Sequence, residues 1–527
     1  MRLFPTRPAL DLTIAGIAVT LAGVLLFQPA VIAWGGALLV GLAVARAVTL
    51  LNVTRVRAAG FEMVWRTQGA VARVVRGETI ELEAEVRNRD TRAARYVELR
   101  AIGSSGLGLE LIPRAGEVPA GGRLRVSLMV RGDRVGRHGL YGLALELRGS
   151  PGLFEVPLTF ANPVGVEVTP SVTRFERKRA RGSSVLGAVA SGRRSRRQGD
   201  AAELREIREH QFGDSFKRIA WKASARRGKL LVRDHELEER DIVWFLLDAS
   251  VELWAGREGA APLDLAIDAV ASLIHEHVRQ GNAVGLAIVT SQRTLWFNPE
   301  RGSAHARRLT LALLDTPAAL EPERSGLDEA AVATRVLEHL RALAPQRLQQ
   351  VEVGDLDRIA ALASSAMARA PFPERRIVAP SERESRLRSY LAAFGMSLPP
   401  RLEPERTRTD PALLEAMARV GRGRLRATTL YLASPLPDDA RWALFAPVLG
   451  SLQRRRPALV WLVASERLGL ILPPDAPGRA AAIAARLATE GGQRAGEREL
   501  HRLGVRIEHL PSLVRHVSGS FPRDGAT

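Results

Sequence analysis

The sequence predicts a mixed fold, α/β plus β, fronted by an apolar helical hairpin. Three observations predict it. Two charge-free runs stand near the N-terminus, period-2 alternation fills residues 60 to 170, and from residue 200 onward apolar runs of strand length alternate with helical periodicity. At 527 residues the chain has room for about three domains at roughly 150 residues each. The expected divisions are a hairpin at 1–55, a β-sandwich-like domain at 56–172, a basic linker at 173–199, and a sheet domain at 200–527 with a helical insertion at about 317–425.

The hairpin comes first. Leu12 to Phe27 and Ala30 to Ala45 carry no charge, and Gln28-Pro29 breaks them at the turn. Each run is a little short of the roughly 20 residues that span a bilayer, but Arg46 can snorkel and extend the second through Val53. A cleavable signal peptide carries one short apolar run, not two. Arg2 and Arg7 precede the pair, Arg46, Arg55 and Arg57 follow it, and the turn is uncharged. The positive-inside rule then puts both ends, and all that follows, in the cytoplasm. The expected location is a membrane with the soluble domains on its cytoplasmic side, and lipid as the hairpin's partner. The competing reading is a buried hairpin in a soluble domain.

In the next segment Ile80, Leu82, Ala84 and Val86 alternate with Glu81, Glu83 and Glu85, and Leu124, Val126, Leu128 and Val130 repeat the pattern. So do Leu143, Leu145 and Leu147, then Val164, Val166 and Val168. Such half-buried strands, broken by Gly, Pro and Asn, predict a small antiparallel sandwich serving as spacer or interaction surface. The Arg-, Ser- and Gly-rich stretch from Arg174 to Arg197 reads either as a solvated linker or as a segment drawn to anionic lipid.

From residue 200 the strands are "DIVWFLLDAS", "AVGLAIVTS", "RTLWF", "TTLYLAS", "ALVWLVAS" and "VRIEHL". Between the first two, Leu263, Ile267, Val270, Ile274 and Val278 fall at helical spacing. Strands apolar on both faces and alternating with helices predict a mostly parallel, doubly wound sheet.

Charge and composition exclude several functions. The formal charge is +19, yet only four of 76 basic residues are lysine and aromatics make up 5%, so the bias lacks the aromatic interleaving of single-strand binders. No nucleic-acid partner is expected. There is no cysteine, which removes disulfides, thiolate metal sites and thiol nucleophiles. "ARRGKLL" lacks the first Gly and the final Ser or Thr of a nucleotide loop, and no Gly-x-Ser-x-Gly elbow occurs. His275 and His277 stand two apart on a helix, unlike a zinc pair, and His277 reads as an exposed helix residue. The chain is expected not to be an enzyme.

The stretch Gly213 to Ser250 carries the most information. Asp214 is a good N-cap for a short helix whose apolar face is Phe216, Ile219, Ala220 and Ala223. Arg218, Lys222 and Arg226 form a basic stripe four residues apart beside Trp221, and Gly228 suits the helix end. "HELEERD" then adds four carboxylates. Two readings stay open: the acidic run pairs with the basic helix inside one fold, or Asp214, Arg218, Trp221, Lys222 and Arg226 recognise an acidic groove on a partner.

Arg208-Glu209, Gly213-Asp214, Arg218-Ile219-x-Trp221, Ala225-Arg226 and Leu230 to Glu236 resemble the bacterial domain-of-unknown-function family fifty-eight, as does "PGLF" at 151–154. The resemblance implies a transmembrane hairpin, a β-rich region and a von Willebrand factor A-like domain, which makes the doubly wound sheet von Willebrand A-like. It also implies a partner or adaptor role with MoxR-type AAA+ ATPases. It does not extend to 317–425.

Such a domain would bind a divalent cation through Asp-x-Ser-x-Ser after its first strand, a Thr on another loop and an Asp after its fourth strand. This chain reads Asp248-Ala249-Ser250-Val251-Glu252, with Glu in place of the second Ser, and Pro435 where the Asp is expected. Asp438 is the nearest replacement acid. The expectation is a degenerate site, Asp248 and Ser250 surviving as a loop cap, with no cofactor and Mg²⁺ not required. The leading reading is a membrane-anchored adaptor that partners the ATPase in complex assembly or maturation. The alternative is a cation-dependent protein-binding module.

Overall fold

The computed structural model describes residues 3–59, 61–67, 69–148, 152–172, 194–211, 216, 219–238, 241–250, 253, 259, 261–291, 293–324, 327–343, 348, 351–377, 379–396, 398, 406–423, 427–455, 457–464 and 494–510. They fall into two compact units. The first is Met1–Ser171, Gly256–Asp264 and Ala312–Glu403; the second is Val172–Ala255, Leu265–Leu311 and Pro404–Thr527.

In the first unit, the short strand β1 (Phe4–Pro5) leads into helices α1 (Arg7–Leu25) and α2 (Pro29–Ala59). Both helices are long and apolar enough to cross a membrane. Their outer faces leave Ile14, Ile17, Leu21, Leu25, Trp34, Val40 and Leu51 exposed. The inner faces meet through small residues. A Cβ on Gly35 would lie 2.6 Å from the Thr20 backbone nitrogen and 2.9 Å from the Gly16 carbonyl oxygen. Small residues on this face permit close backbone approach of the two helices.

The sandwich is built from β2 (Phe61–Trp65), β3 (Val71–Val75), β4 (Thr79–Asn88), β5 (Ala94–Gly103), β6 (Leu107–Ile112), β7 (Gly116–Val118), β8 (Arg123–Gly132), β9 (Gly136–Arg148) and β10 (Phe154–Thr169). One sheet runs β1-β10-β9-β5-β7 with β3 also on β10, and the other runs β2-β4-β8-β6. The period-2 reading holds: Leu82, Ala84 and Val86 are buried while Glu81 and Glu83 face out. Leu82 sits opposite Leu128 and Ala84 opposite Val126, and both sheets contribute to one core. At the bulge between Ala161 and Val164, the Trp65 indole donates to the Asn162 carbonyl at 2.7 Å.

In the second unit, β11 (Arg194–Glu209) pairs with β12 (Leu231–Glu238) across the short helix α3 (Trp221–Arg227). Strand β11 takes in residues 194–199, the end of the segment expected as linker; residues 173–193 lie outside the described residues. A six-stranded sheet follows, made of β13 (Ile242–Asp248), β14 (Ala283–Val289), β15 (Thr294–Glu300), β16 (Thr429–Ala433), β17 (Ala458–Val463) and β18 (Arg506–His509). Its order is β15-β14-β13-β16-β17-β18, parallel throughout except for the antiparallel edge strand β15.

Helix α4 (Pro262–Arg279) follows β13, and α5 (Ser303–Arg324) follows β15. The segment read as an insertion divides between the units. Helices α6 (Glu329–Leu343), α7 (Leu356–Ala366) and α8 (Glu382–Ala393) form a small core in the first unit around Val336, Leu340, Ile359, Leu387 and Tyr390. Ser381 caps α8 by accepting the Glu384 N–H at 2.9 Å. Helix α9 (Arg406–Arg422) belongs to the second unit. There Leu413, Met417 and Val420 pack with Trp244, Leu246, Leu430 and Trp461 on one sheet face, joined by Phe445 and Leu449 of α10 (Asp439–Arg455).

The opposite face corrects one expectation. His277 is buried, with Nε2 3.1 Å from the Tyr431 hydroxyl and Nδ1 3.1 Å from the Asn282 amide. The Phe245 ring stacks on Tyr431, with centroids 4.9 Å apart. Helical spacing put the His277 ring on the α4 face that meets the sheet, where a polar side chain is tolerated because its nitrogens are paired.

Candidate functional site

Two places in the second unit gather functional candidates. The first is the hairpin of β11 and β12, around α3. The helix begins at Trp221, with Ala220 as its cap position, and it ends in Gly228 at φ 64°. The expected N-cap Asp214 is therefore displaced from the helix start, and both Asp214 and Arg218 lie outside the described residues. Phe216 is 75% exposed, so it does not join the apolar face assigned to it.

The inner side of α3 is pinned to β12. The Ala220 N–H donates to the Leu231 carbonyl at 2.8 Å, and Ser224 Oγ accepts the Leu231 N–H at 2.8 Å. Ile219 forms a bridge with Val232. Backbone pairing to a strand fixes which side of so short a helix faces out. On that side stand Trp221, 63% exposed, with Lys222 and Arg226, both exposed. Leu230 is also exposed. Lys229 pairs with Glu209 at 2.9 Å, an exposed contact worth little. The acidic side chains of 233–240 lie outside the described residues.

The second place is a crevice fixed by topology. From β13 the chain winds outward through β14 to β15, then returns to β16 and winds the other way to β18. The direction reverses between β13 and β16, so the carboxyl ends of these two strands frame the position where open α/β sheets bind ligands. Asp248 ends β13 there, fully buried, and Ser434 follows β16.

The crevice is filled by the protein's own charges. Asp248 Oδ1 accepts the Ser250 N–H at 3.0 Å, and Oδ2 accepts the Ser434 hydroxyl at 2.8 Å. The Arg406 guanidinium, from the first residue of α9, donates to Oδ2 as well. Burial alone would raise the Asp248 carboxyl, but the Arg406 charge and hydrogen bond, helped by Ser250, outweigh it and hold the group below its usual value. Arg406 also lies 3.8 Å from Asp410, one turn along α9. Arg441 grips Asp410 with two hydrogen bonds of 2.8 Å. The Trp461 indole donates to the Ser434 carbonyl at 2.8 Å, which seats the loop after β16.

These residues do not fit the divalent cation that a von Willebrand A-type crevice would hold. A hard cation needs about six oxygens at 2.0–2.6 Å. Both Asp248 oxygens are engaged, and each further positive charge placed about 4 Å from the guanidinium costs roughly 4 kcal/mol at an effective dielectric of 20. Asp438 is exposed and caps α10 through the Arg441 N–H at 2.9 Å, so it does not replace the acid missing at Pro435. Thr290, after β14, is tied into its own turn with Arg293. Glu252 lies outside the described residues, and among the described residues no group of three His, Cys, Asp or Glu is placed to hold a metal.

The α3 patch, β13 and the crevice carboxylate Asp248 all fall in one stretch of known kind. Residues 206–360 match DUF58, a protein of unknown function. The DUF58 match includes Trp221, Lys222, Arg226, Asp248 and Ser250, but it stops short of Arg406 and Ser434. The "Uncharacterized protein YeaD" of Bacillus subtilis (strain 168) is 25% identical over 103 residues, 20% of this chain and 24% of that protein. The chain thus spans about a quarter of that curated relative. Among solved structures, the ASH/PapD-like domain of human CEP192 is similar at 13% identity and a TM-score of 0.17, over 21% of this chain and 87% of that one. WR4, a C. elegans MSP family member, is similar at 8% and 0.15, over 20% and 96%. Scores so low bear on neither fold nor function.

The structure therefore brings Trp221, Lys222 and Arg226 together on one helix, and Asp248 and Ser250 together in the crevice. Sequence reasoning missed Arg406, Asp410, Ser434 and Arg441. Arg406 lies 158 residues from Asp248. The one local signal was Arg406 and Asp410 at i, i+4 on a helix, a spacing that also describes an ordinary surface pair.

Proposed function

We propose that this DUF58-containing chain is a membrane-anchored interaction protein whose soluble units face the bacterial cytoplasm. Its von Willebrand A-like sheet is the platform, and its α3 patch docks an acidic groove on a MoxR-type AAA+ ATPase during assembly or maturation of a protein complex. The observation that carries this reading is the outward face of α3. An exposed Trp beside Lys222 and Arg226, on a helix held rigid by β12, is the composition of an interface anchor: aromatic and basic side chains dominate such contacts. The ATPase as partner is taken from the family resemblance. The cytoplasmic side follows from Arg2, Arg7, Arg46, Arg55 and Arg57 flanking an uncharged turn.

The alternative, a cation-dependent module gripping a carboxylate, requires an ion on Asp248, and the Arg406 pair speaks against it. The test is crosslinked affinity purification of the full-length chain from its native membrane, beside a Trp221→Ala/Arg226→Ala variant. Recovery of an AAA+ ATPase that the variant loses supports the docking role. Equal recovery returns the patch to a structural role, and no ATPase in either preparation removes the adaptor reading.

A further inference from the structure

The switch-point crevice holds a run of alternating charges: Asp248, Arg406, Asp410 and Arg441. Each neighbour in the run is in contact, with Arg406 on Asp248 Oδ2, Arg406 3.8 Å from Asp410, and Arg441 on both Asp410 oxygens. Asp248 and Asp410 are buried, and the two arginine side chains are only 19% and 12% exposed. Among the described residues, the two positive groups of this run balance its two negative ones. Buried ions persist when they are paired and hydrogen-bonded, and each of these is.

The geometry points to Arg406 as a resident cation: its guanidinium takes the place of a divalent ion on Asp248, locks the first turn of α9 over the ends of β13 and β16, and masks a latent cation site. The oxygens left behind if the guanidinium were removed are those a hard ion accepts. They are the Asp248 carboxylate, the Ser434 hydroxyl now 2.8 Å from it, and the buried Ser250 hydroxyl, which makes no hydrogen bond of good geometry. Water can complete such a shell, since small hard cations keep several waters. An arginine is suited to the substitution because it stays charged at any working pH and presents its donors in a fixed plane. The inference does not depend on which partner the α3 patch recognises.

The test uses the full-length chain in detergent with Mn²⁺ alone as probe, bound ion being read by loss of the free-ion paramagnetic resonance signal. Wild type at about 1 mM Mn²⁺ should match Asp248→Asn, with no melting shift from the ion. Arg406→Ala should take up one further equivalent, and the ion should raise its melting temperature by at least about 3 °C. Adding Asp248→Asn to Arg406→Ala should abolish both effects. Asp248-dependent uptake by wild type, or no uptake by folded Arg406→Ala, would overturn the inference. Should Arg406→Ala fail to fold without ion, recovery of fold on adding Mn²⁺ supports charge replacement, whereas recovery only on adding Asp248→Asn shows a plain ion pair and overturns the latent cation site. If neither restores it, Arg406 acts through packing and the inference fails.

Discussion

Acid should loosen the first unit through His339, and the size of the effect can be worked from its surroundings. The ring is enclosed by Tyr141, Tyr390 and Phe394, with centroids 5.2, 5.7 and 4.8 Å away. Nδ1 meets the Tyr390 hydroxyl at 2.8 Å, and Nε2 is buried without a hydrogen-bond partner. A proton added there would create a buried charge with no acceptor. Burial, with the Arg369 charge, accordingly lowers the ring from 6.5 to about 4. The native state therefore prefers the neutral ring. Its contribution is intact above the unfolded value of 6.5 and is lost as the pH falls toward 4. By about pH 4.5 the linkage removes roughly 2.5 kcal/mol, equivalent to a nearly 70-fold rise in local opening.

His138, lowered to about 4 chiefly by burial, adds a second acid-sensitive group in the same unit. His339→Phe keeps an aromatic in the cluster and removes one of the two. It should cost about 1–3 kcal/mol at neutral pH, because the Tyr390 hydroxyl loses its acceptor. In return the variant should lose most of the wild-type pH slope in the opening of α6 and α8. Hydrogen exchange of residues 329–343 and 382–393 in the full-length chain, corrected for intrinsic rates between about pH 7.5 and 4.5, reads this directly. An unchanged slope in His339→Phe would refute the assignment of the acid sensitivity to that ring.

Two further expectations follow from close contacts. Gly35→Leu should force the two apolar helices apart and sharply lower the detergent melting temperature and yield, whereas Gly36→Leu, whose added Cβ meets nothing within 4 Å, should leave both unchanged. Equal behaviour of the two would mean the helices do not pack as described. Arg441→Ala leaves the buried Asp410 with only the longer Arg406 contact and should cost about 3 kcal/mol in urea unfolding, with Arg441→Lys recovering only part because it cannot form the paired contact. Arg376→Ala, which breaks an exposed pair with Glu382, should change stability by about 1 kcal/mol or less.

The sequence by itself determined the elements. Alternation at Leu82, Ala84 and Val86 set strand and face together, because a side-chain period of two leaves one register that buries all three. Runs such as "VWFLLD" and "AVGLAIV" declared strands covered on both sides, and the Gln28-Pro29 break declared a hairpin. The Asp-x-Ser at Asp248 and Ser250 was legible as a motif, and so were its departures at Glu252 and Pro435. All of these are local, written within a few residues of the feature they specify.

Tertiary structure alone decided what fills the crevice. Arg406 reaches Asp248 because α9 returns to the sheet after a long excursion through α6, α7 and α8, and no local pattern records where a chain comes back. The same reason hid the partners of His277. Its spacing from His275 was visible, but the Tyr431 hydroxyl that makes its burial tolerable lies 154 residues away. Periodicity fixes which face of an element is apolar. Only packing shows which distant polar or charged group meets it there.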